Sequence, residues 1–214
     1  MSLDIKQRVF DFLNQAKHLE PFEIPVFPLK TVLFPGGKLP LKVFEPRYMD
    51  MVSACIRDSK PFGICLILDG EETGKPAQHV TTGCLSEIKE WDMPQLGVLN
   101  IQALGIQRFH IEDKRIESNG LIMARAVHIA PEPPHPLPPN HQACATLLHR
   151  LIEHLGVERF APTLNYEDAV WVSYRLAELL PLKLSARQNM LEMNDSQVRI
   201  EILHSFLTQQ GLLD

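Results

Sequence analysis

The side chains that could carry out chemistry are scattered along this chain without the spacings that catalytic or metal sites require. Nine histidines and four cysteines are present, but the sequence contains neither His-Glu-x-x-His nor Cys-x-x-Cys. Gly-x-Ser-x-Gly, the turn that exposes a catalytic serine, does not occur either. The sequence therefore predicts no metal site, no cofactor and no catalytic residue.

One glycine-containing loop has a partial likeness to a phosphate-binding loop. The segment from Gly70 to Pro76 is one residue shorter than the P-loop spacing, and Pro76 stands where Ser or Thr would hold Mg²⁺. No helical pattern follows the loop, although phosphate binding depends on the start of a helix. The segment therefore predicts a surface loop and not a nucleotide site.

Three polar or charged residues at the start of a predicted helix have two possible roles. Glu45, Arg47 and Tyr48 could form a contact surface at the mouth between a β-barrel and the helix. Alternatively, Glu45 and Arg47 pair with the backbone or with each other and lock the strand-to-helix turn. The second interpretation is favoured, and the first stays open.

These residues belong to the segment around which the chain is organised, residues 24–52. An apolar, β-prone run is interrupted by Pro25 and Pro28, which predicts an edge or bulged strand because proline lacks a backbone donor. Pro35-Gly36-Gly37 predicts a turn. A strand with one apolar face follows over 39–43, and a helix begins at Glu45-Pro46.

Further strands follow this segment with short turns and no helices between them. Residues 62–68, 79–91 and 99–103 are β-prone, Gly105 indicates a bend, and Ser118-Asn119-Gly120 indicates a hairpin. Strands in this order favour an antiparallel barrel or sandwich over a parallel sheet. We therefore place a β-rich domain at residues 21–130.

The remainder of the chain is predicted to be mainly helical. Six of the nine residues in 131–139 are prolines, which predicts a stiff strap leading to a helical subdomain over 140–214. Asn140 and Asn165 are the expected N-caps of its first two helices. A fourth helix should begin at Asn194 or Asp195. Its expected inward face is Val198, Ile202, Phe206 and Leu207.

An apolar stripe predicts an amphipathic helix at residues 1–20. The stripe residues recur at helical spacing up to Pro21. Such a helix either packs on its own domain, which is the favoured interpretation, or docks on a partner. The stripe is formed by Ile5, Val9, Phe12, Leu13, Ala16 and Leu19.

Composition narrows the class of protein. A formal net charge of −5 over 214 residues argues against a general nucleic-acid binder. Four cysteines inside apolar runs suggest buried free thiols in a reducing compartment. Neither a signal peptide nor an apolar run of about 20 residues is present, so we expect a cytoplasmic protein that binds no membrane.

Several segments together resemble the N-terminal, substrate-binding domain of the Lon proteases, and especially free-standing bacterial proteins built around it. The likeness spans roughly residues 23–192 and is specific as a combination. The segments that carry it are IPVFPLKTVLFPGGKLPLKVFEPRYMDMV, FGICL, GCLSEI, GIQRF and WVSYRLAELLPL. The resemblance implies an α+β fold, with a PUA-like twisted antiparallel β pseudo-barrel followed by a C-terminal helical subdomain.

The same resemblance implies a binding function without an active site. The expected role is non-catalytic recognition of unfolded or extended polypeptide segments in protein quality control, with a protease or chaperone as a further expected partner. The chain has no counterpart of the Lon ATPase and peptidase motifs. A binding surface is expected along the strand Ile24–Phe34 and the following turn. The expected binding residues are Phe34, Pro35, Gly36, Gly37, Phe44, Glu45, Arg47 and Tyr48.

Two other functions remain open from the residues alone. The first is a hydrolase whose site is assembled from residues far apart in sequence. The second is an RNA-binding module, because PUA-like folds often bind RNA, although the acidic net charge argues against it.

Overall fold

A computed structural model of the chain describes residues 20–213, so the helix predicted for residues 1–20 lies outside it except for Glu20. Within residues 20–213, seven strands precede four of the five helices. Short 3₁₀ turns occur at Pro139–His141 and Val157–Arg159. In chain order, the elements are β1 Phe22–Leu29, β2 Lys38–Val43, α1 Pro46–Asp58, β3 Phe62–Asp69, β4 Gln78–His79, β5 Thr82–Gln95, β6 Val98–Ile116, β7 Ile122–His128, α2 Gln142–Leu155, α3 Ala169–Leu179, α4 Leu184–Glu192 and α5 Ser196–Gln209.

Five strands close into a ring. Their order is β1-β7-β6-β5-β3, and β3 pairs again with β1; β2 adds to β6 and β4 adds to β3. The β1–β3 pair is parallel and the other pairs are antiparallel. A parallel pair needs a crossover connection, which β2 and α1 supply. The α+β pseudo-barrel prediction is confirmed, with this one parallel pairing that the strand pattern did not predict.

β1 has a staggered position between its two neighbours. Phe22–Val26 pairs with β7, whereas Val26–Leu29 pairs with β3, so the two pairings share only Val26. Both Pro25 and Pro28 therefore lie where the strand has a neighbour on one side only. This arrangement explains how a strand with two prolines is tolerated inside a closed ring.

Two helices of the helical part do not have the N-cap residues that the sequence predicted. Asn140 lies inside a 3₁₀ turn and caps nothing, because α2 starts two residues later. α3 is capped by Asp168 and not by Asn165, since the Asp168 side chain accepts from the amide of Val170 at 3.1 Å. Asp195 caps α5 as predicted, accepting from two amides.

The predicted buried face of α5 is right at Leu207 and at Phe206, which is half-buried against the helical core, and wrong at its other two residues. Val198 and Ile202 are 43% and 41% exposed, whereas Leu207 is buried as expected. The inward face instead contains Arg199, which is completely buried. The prediction counted only apolar residues as inward-facing and therefore left out Arg199. As a result, the predicted buried face is rotated around the helix relative to the observed one.

Arg199 is buried because it binds a carboxylate on the proline-rich strap. Its Nη1 and Nη2 atoms donate to the two Glu132 carboxylate oxygens at 2.9 and 3.1 Å. The Tyr174 hydroxyl of α3 donates to the same carboxylate at 2.7 Å. Arg108 of β6 lies 3.9 Å from it and also donates to the backbone oxygens of Leu191 and Met193 at the end of α4. The strap is thereby fastened to both halves of the molecule.

Removing the Glu132 charge should lower the stability of the protein. The Glu132→Gln variant leaves two buried guanidinium groups without their carboxylate, so we expect a loss of about 3 kcal/mol in the free energy of unfolding. Urea unfolding followed by circular dichroism measures this value. Glu167→Gln is the control, because the Glu167 side chain is exposed. A change in Glu132→Gln as small as that of the control would contradict the structural role given to this cluster.

Candidate functional site

An apolar groove of about 490 Å³ lies between β1, β7 and the end of α1. We call it the β1–α1 groove. Ile24 and Leu85, which line its interior, are 1% and 4% exposed and belong to the barrel core. Its volume falls within the roughly 300–1,000 Å³ range of ligand pockets. The walls are half-buried apolar residues: Phe22, Pro25, Ala54, Pro61, Leu121 and Met123.

The groove exists because β3 begins opposite Val26 and does not extend alongside the first four residues of β1. Residues 22–25 pair only with β7, and the first β1–β3 partners are Val26 and Gly63. The other edge of residues 22–25 therefore has no strand partner among the described residues. On this side α1 ends at Asp58. The next residue, Ser59, adopts a left-handed conformation, and the chain turns through Pro61 into β3.

Charged groups are confined to the rim of the groove, where several have partners. Glu23 is paired with Arg115 of β6, and Asp58 is paired with Arg57 at 2.8 Å. The hydrogen bond from Arg57 lowers the pKa of Asp58. The interior is left to apolar side chains, which suits it to apolar groups and not to a charged ligand.

The one thiol at the groove is poorly suited to act as a nucleophile. Burial, with a smaller contribution from the nearby Asp58 carboxylate, which opposes the thiolate, raises the pKa of Cys55 to about 11. His128, which also lines the groove, stacks on the ring of Phe22 with centroids 4.3 Å apart. A thiol that stays protonated near neutral pH does not support nucleophilic catalysis.

The first half of the predicted binding set forms a joint inside the molecule. Phe34 is completely buried among the helices. The amide of Gly36 donates to the Gly105 oxygen at 2.8 Å, and the Gly105 amide donates to the Gly37 oxygen at 2.9 Å. From α3, Arg175 Nη2 donates to the Pro35 oxygen at 2.9 Å. The turn therefore connects barrel and helices and presents little surface to a ligand.

Two of the glycines are required for this joint to close. A Cβ atom on Gly105 would lie 2.2 Å from the backbone oxygen of Phe34. A Cβ atom on Gly37 would lie 2.4 Å from Oε1 of Glu178, which pairs with Arg175 at 3.1 Å. Close packing thus accounts for Gly37 and Gly105, whereas Gly36 has a φ of +75°, which favours glycine.

The second half of the predicted set lies at the start of α1. Arg47 is paired with Glu45 at 2.8 Å, and its Nη1 donates to the Gly120 oxygen at 3.0 Å. Glu45 also accepts from the amide of Gly74 at 2.6 Å. The predicted pairing of these two charges with each other and with the backbone is confirmed, and it holds the surface loop and the β6–β7 turn against α1.

Two aromatic residues of this half are placed differently from each other. Tyr48 is buried and stacks on Phe27, with centroids 4.0 Å apart. Phe44 is 53% exposed. Both residues, with Glu45, line a second recess of about 300 Å³. None of the eight predicted residues lines the β1–α1 groove, although Ile24 and Pro25 of the predicted binding strand do.

Sequence reasoning missed most of the groove because its walls come from three distant segments of the chain. Ala54 is a small residue in α1 with no distinctive sequence signal, and Leu121 and Met123 follow the hairpin signal at residues 118–120. The available signal was the pair of prolines in β1, which indicates a strand with an incomplete set of neighbours.

Comparison with known proteins identifies the domain. A family model described as the ATP-dependent protease La (LON) substrate-binding domain matches residues 23–209. The chain belongs to this family. A solved structure, the Lon N-terminal domain protein from Xanthomonas campestris, matches with a TM-score of 0.72 and 35% sequence identity, covering 86% of this chain and 98% of that one.

Curated relatives include longer proteins. Protein cereblon from Xenopus tropicalis is 31% identical over 117 residues, which cover 54% of this LON-domain chain and 26% of cereblon. The Lon protease of Phenylobacterium zucineum is 23% identical over 209 residues, covering 92% of this chain and 26% of the protease. The chain thus spans about a quarter of the length of these two relatives. They support membership of the domain family.

The described part of the chain contains neither a cluster of metal ligands nor a membrane-spanning helix. No group of three or more His, Cys, Asp or Glu residues there is arranged to hold a metal ion. Within residues 20–213, no helix is long and apolar enough to cross a membrane.

The thiol at the groove should react slowly with alkylating agents while the protein is folded. With its pKa raised to about 11, Cys55 should react with iodoacetamide about 100-fold more slowly at pH 8 than in the urea-unfolded chain. The rate should rise about tenfold per pH unit between pH 7 and 9, because the thiolate fraction rises by that factor. Peptide mass spectrometry measures both rates, and complete labelling of folded Cys55 within minutes would contradict the assignment.

Proposed function

We propose that this LON-domain protein is a non-catalytic receptor for extended, apolar polypeptide segments, which it binds in the β1–α1 groove. The observation that carries the proposal is an apolar groove bordered by a strand edge that has no strand partner within residues 20–213. Membership of a substrate-binding domain family supports a recognition role. The combination of a free backbone edge and apolar walls matches the needs of a polypeptide.

The two features of the groove recognise different parts of such a segment. A strand edge offers backbone hydrogen-bonding groups to any extended chain, whatever its sequence, although Pro25 contributes no donor here. The apolar walls formed by Ala54, Leu121 and Met123 then select apolar side chains. Binding of this kind is broad in sequence and excludes compact, folded surfaces, which suits a receptor for unfolded proteins.

The groove supports binding better than catalysis. A hydrolase would need an activated nucleophile, and Cys55 has a pKa shifted in the opposite direction by burial and by Asp58. The apolar interior also lacks the preorganised dipoles that stabilise a charged transition state. A separate protease or chaperone would then act on the bound segment. The four thiols, all free and buried, fit a reducing cytoplasm.

A charge placed in the groove should abolish peptide binding. In Ala54→Glu a carboxylate enters the apolar wall, whereas in Ser53→Glu the same charge is added at the neighbouring, exposed position of α1. We expect Ala54→Glu to weaken the binding of Leu/Phe/Val-rich decapeptides about tenfold or more, because a buried charge is costly. Ser53→Glu should change it less than about twofold.

Fluorescence anisotropy with labelled peptides measures these affinities, and Gly/Ser-rich decapeptides serve as the ligand control. Circular dichroism confirms that both variants are folded. Equal affinity of the wild type and Ala54→Glu would move the binding site elsewhere. Equal affinity for apolar and Gly/Ser-rich peptides would reject the proposed selectivity.

A further inference from the structure

A recess of about 400 Å³ lies where the barrel meets the helical part, and we call it the β2–α3 recess. Strands β2 and β6 form one wall, and the end of α2, the 3₁₀ turn Val157–Arg159 and α3 form the others. Among the described residues, none lines both this recess and the β1–α1 groove. The volume of the recess lies within the range of ligand pockets, so it is a second candidate site.

Apolar side chains from both halves of the molecule line part of the recess. Phe160 is buried and belongs to the helical core, and Leu155 and Leu179 are half-buried against the same core. Pro40 of β2 contributes from the barrel side. An aliphatic side chain that enters the recess therefore loses contact with water and gains contact with carbon atoms.

Two positive charges lie together at the 3₁₀ turn that borders this apolar lining. The Lys38 ammonium donates to the backbone oxygen of Glu158 at 3.0 Å, which places it beside the residue that precedes Arg159. The Arg159 side chain is exposed, and within residues 20–213 it has neither a hydrogen bond nor an ion pair. Lys38 and Arg159 thus leave two cationic groups without an anionic partner in the described part of the chain.

The acidic residues nearby do not neutralise these two cations. Glu178 lines the recess but pairs with the buried Arg175 at 3.1 Å. The Glu158 carboxylate folds over Gly156, where an added Cβ atom would lie 2.2 Å from its Oε1. The side-chain amide nitrogen of Gln102, another lining residue, has no hydrogen-bond partner among the described residues. The polar part of the recess therefore favours an anionic ligand group.

We propose that the β2–α3 recess binds the carboxyl-terminal residue of a polypeptide when that residue is apolar. Its α-carboxylate forms charge-assisted hydrogen bonds with Lys38 and Arg159, and its side chain packs on Phe160. Within a polypeptide, only the last residue carries both a carboxylate and an apolar side chain. Membership of a substrate-binding domain family favours a polypeptide over a free organic acid. This site goes beyond the function proposed above and does not depend on the groove.

Three labelled decapeptides test the chemistry of the ligand by fluorescence anisotropy. All have a Gly/Ser-rich body, which the groove should not select, and they end in a free Leu carboxylate, a Leu amide or a free Ser carboxylate. We expect the second and third to bind at least about fivefold more weakly than the first, since each lacks one of the two contacts. Equal affinity of the three peptides, or no binding of the first at about 1 mM, would overturn the proposal. Octanoate that binds more tightly than the Leu-ended peptide would also overturn it, because the ligand would then be a free acid.

Two full-length variants with the same change of charge test the position of the site. Arg159→Glu reverses an exposed charge at the recess, and Arg150→Glu reverses an exposed charge on α2 outside it. We expect Arg159→Glu to weaken binding of the Leu-ended peptide about tenfold or more, and Arg150→Glu less than about twofold. Circular dichroism confirms that both variants are folded. Equal affinity of the two variants would overturn the assignment to the recess.

The groove variant Ala54→Glu separates this site from the function proposed above. We expect it to bind the Leu-ended peptide with unchanged affinity, because Ala54 does not line the recess. Loss of binding in Ala54→Glu would place the chain end in the groove and overturn the proposal. Binding of the Leu-ended peptide by a protein that fails to bind Leu/Phe/Val-rich decapeptides through the groove would support the recess and reject the groove.

Discussion

The arrangement of the barrel and the helical part depends on the interactions of the Glu132 carboxylate. It receives hydrogen bonds from Arg199 of α5 and Tyr174 of α3, and Arg108 of β6 lies beside it. Arg108 and Arg199 are nearly or completely buried, so each needs this anion to offset its loss of hydration. Since Arg108 also binds the end of α4, one acidic side chain on the strap fixes barrel and helices in a single orientation.

The Pro35–Gly37 turn forms a second joint between the same two halves. Its backbone hydrogen-bonds to Gly105 of the barrel and to Arg175 of α3, and Phe34 fills the helical core. The groove lies in a different place, at the stagger of β1 between β7 and β3. The groove is therefore separate from both joints and lies where residues 22–25 have a strand partner on one side only among the described residues.

Local signals in the sequence predicted much of the fold. The hairpin at residues 118–120, the strand ending at Val43 and the Asp195 cap follow from turn and capping chemistry that acts over a few residues. The pairing of Glu45 with Arg47 was predictable for the same reason, because the two residues are only two positions apart in the sequence. The strand order and the family resemblance together led to the α+β pseudo-barrel.

Contacts between distant residues decided what these local patterns left open. Arg199 faces inward only because Glu132, far away in sequence, supplies its counter-charge. Phe34 is a core residue because α3 covers it, and no local pattern distinguishes that from a binding residue. The groove likewise depends on where β3 starts relative to β1, which is a matter of register. The sequence alone thus determined which elements form, through short-range backbone chemistry. Only the tertiary structure decided which side chains remain available for binding, because burial depends on the neighbours that folding brings together.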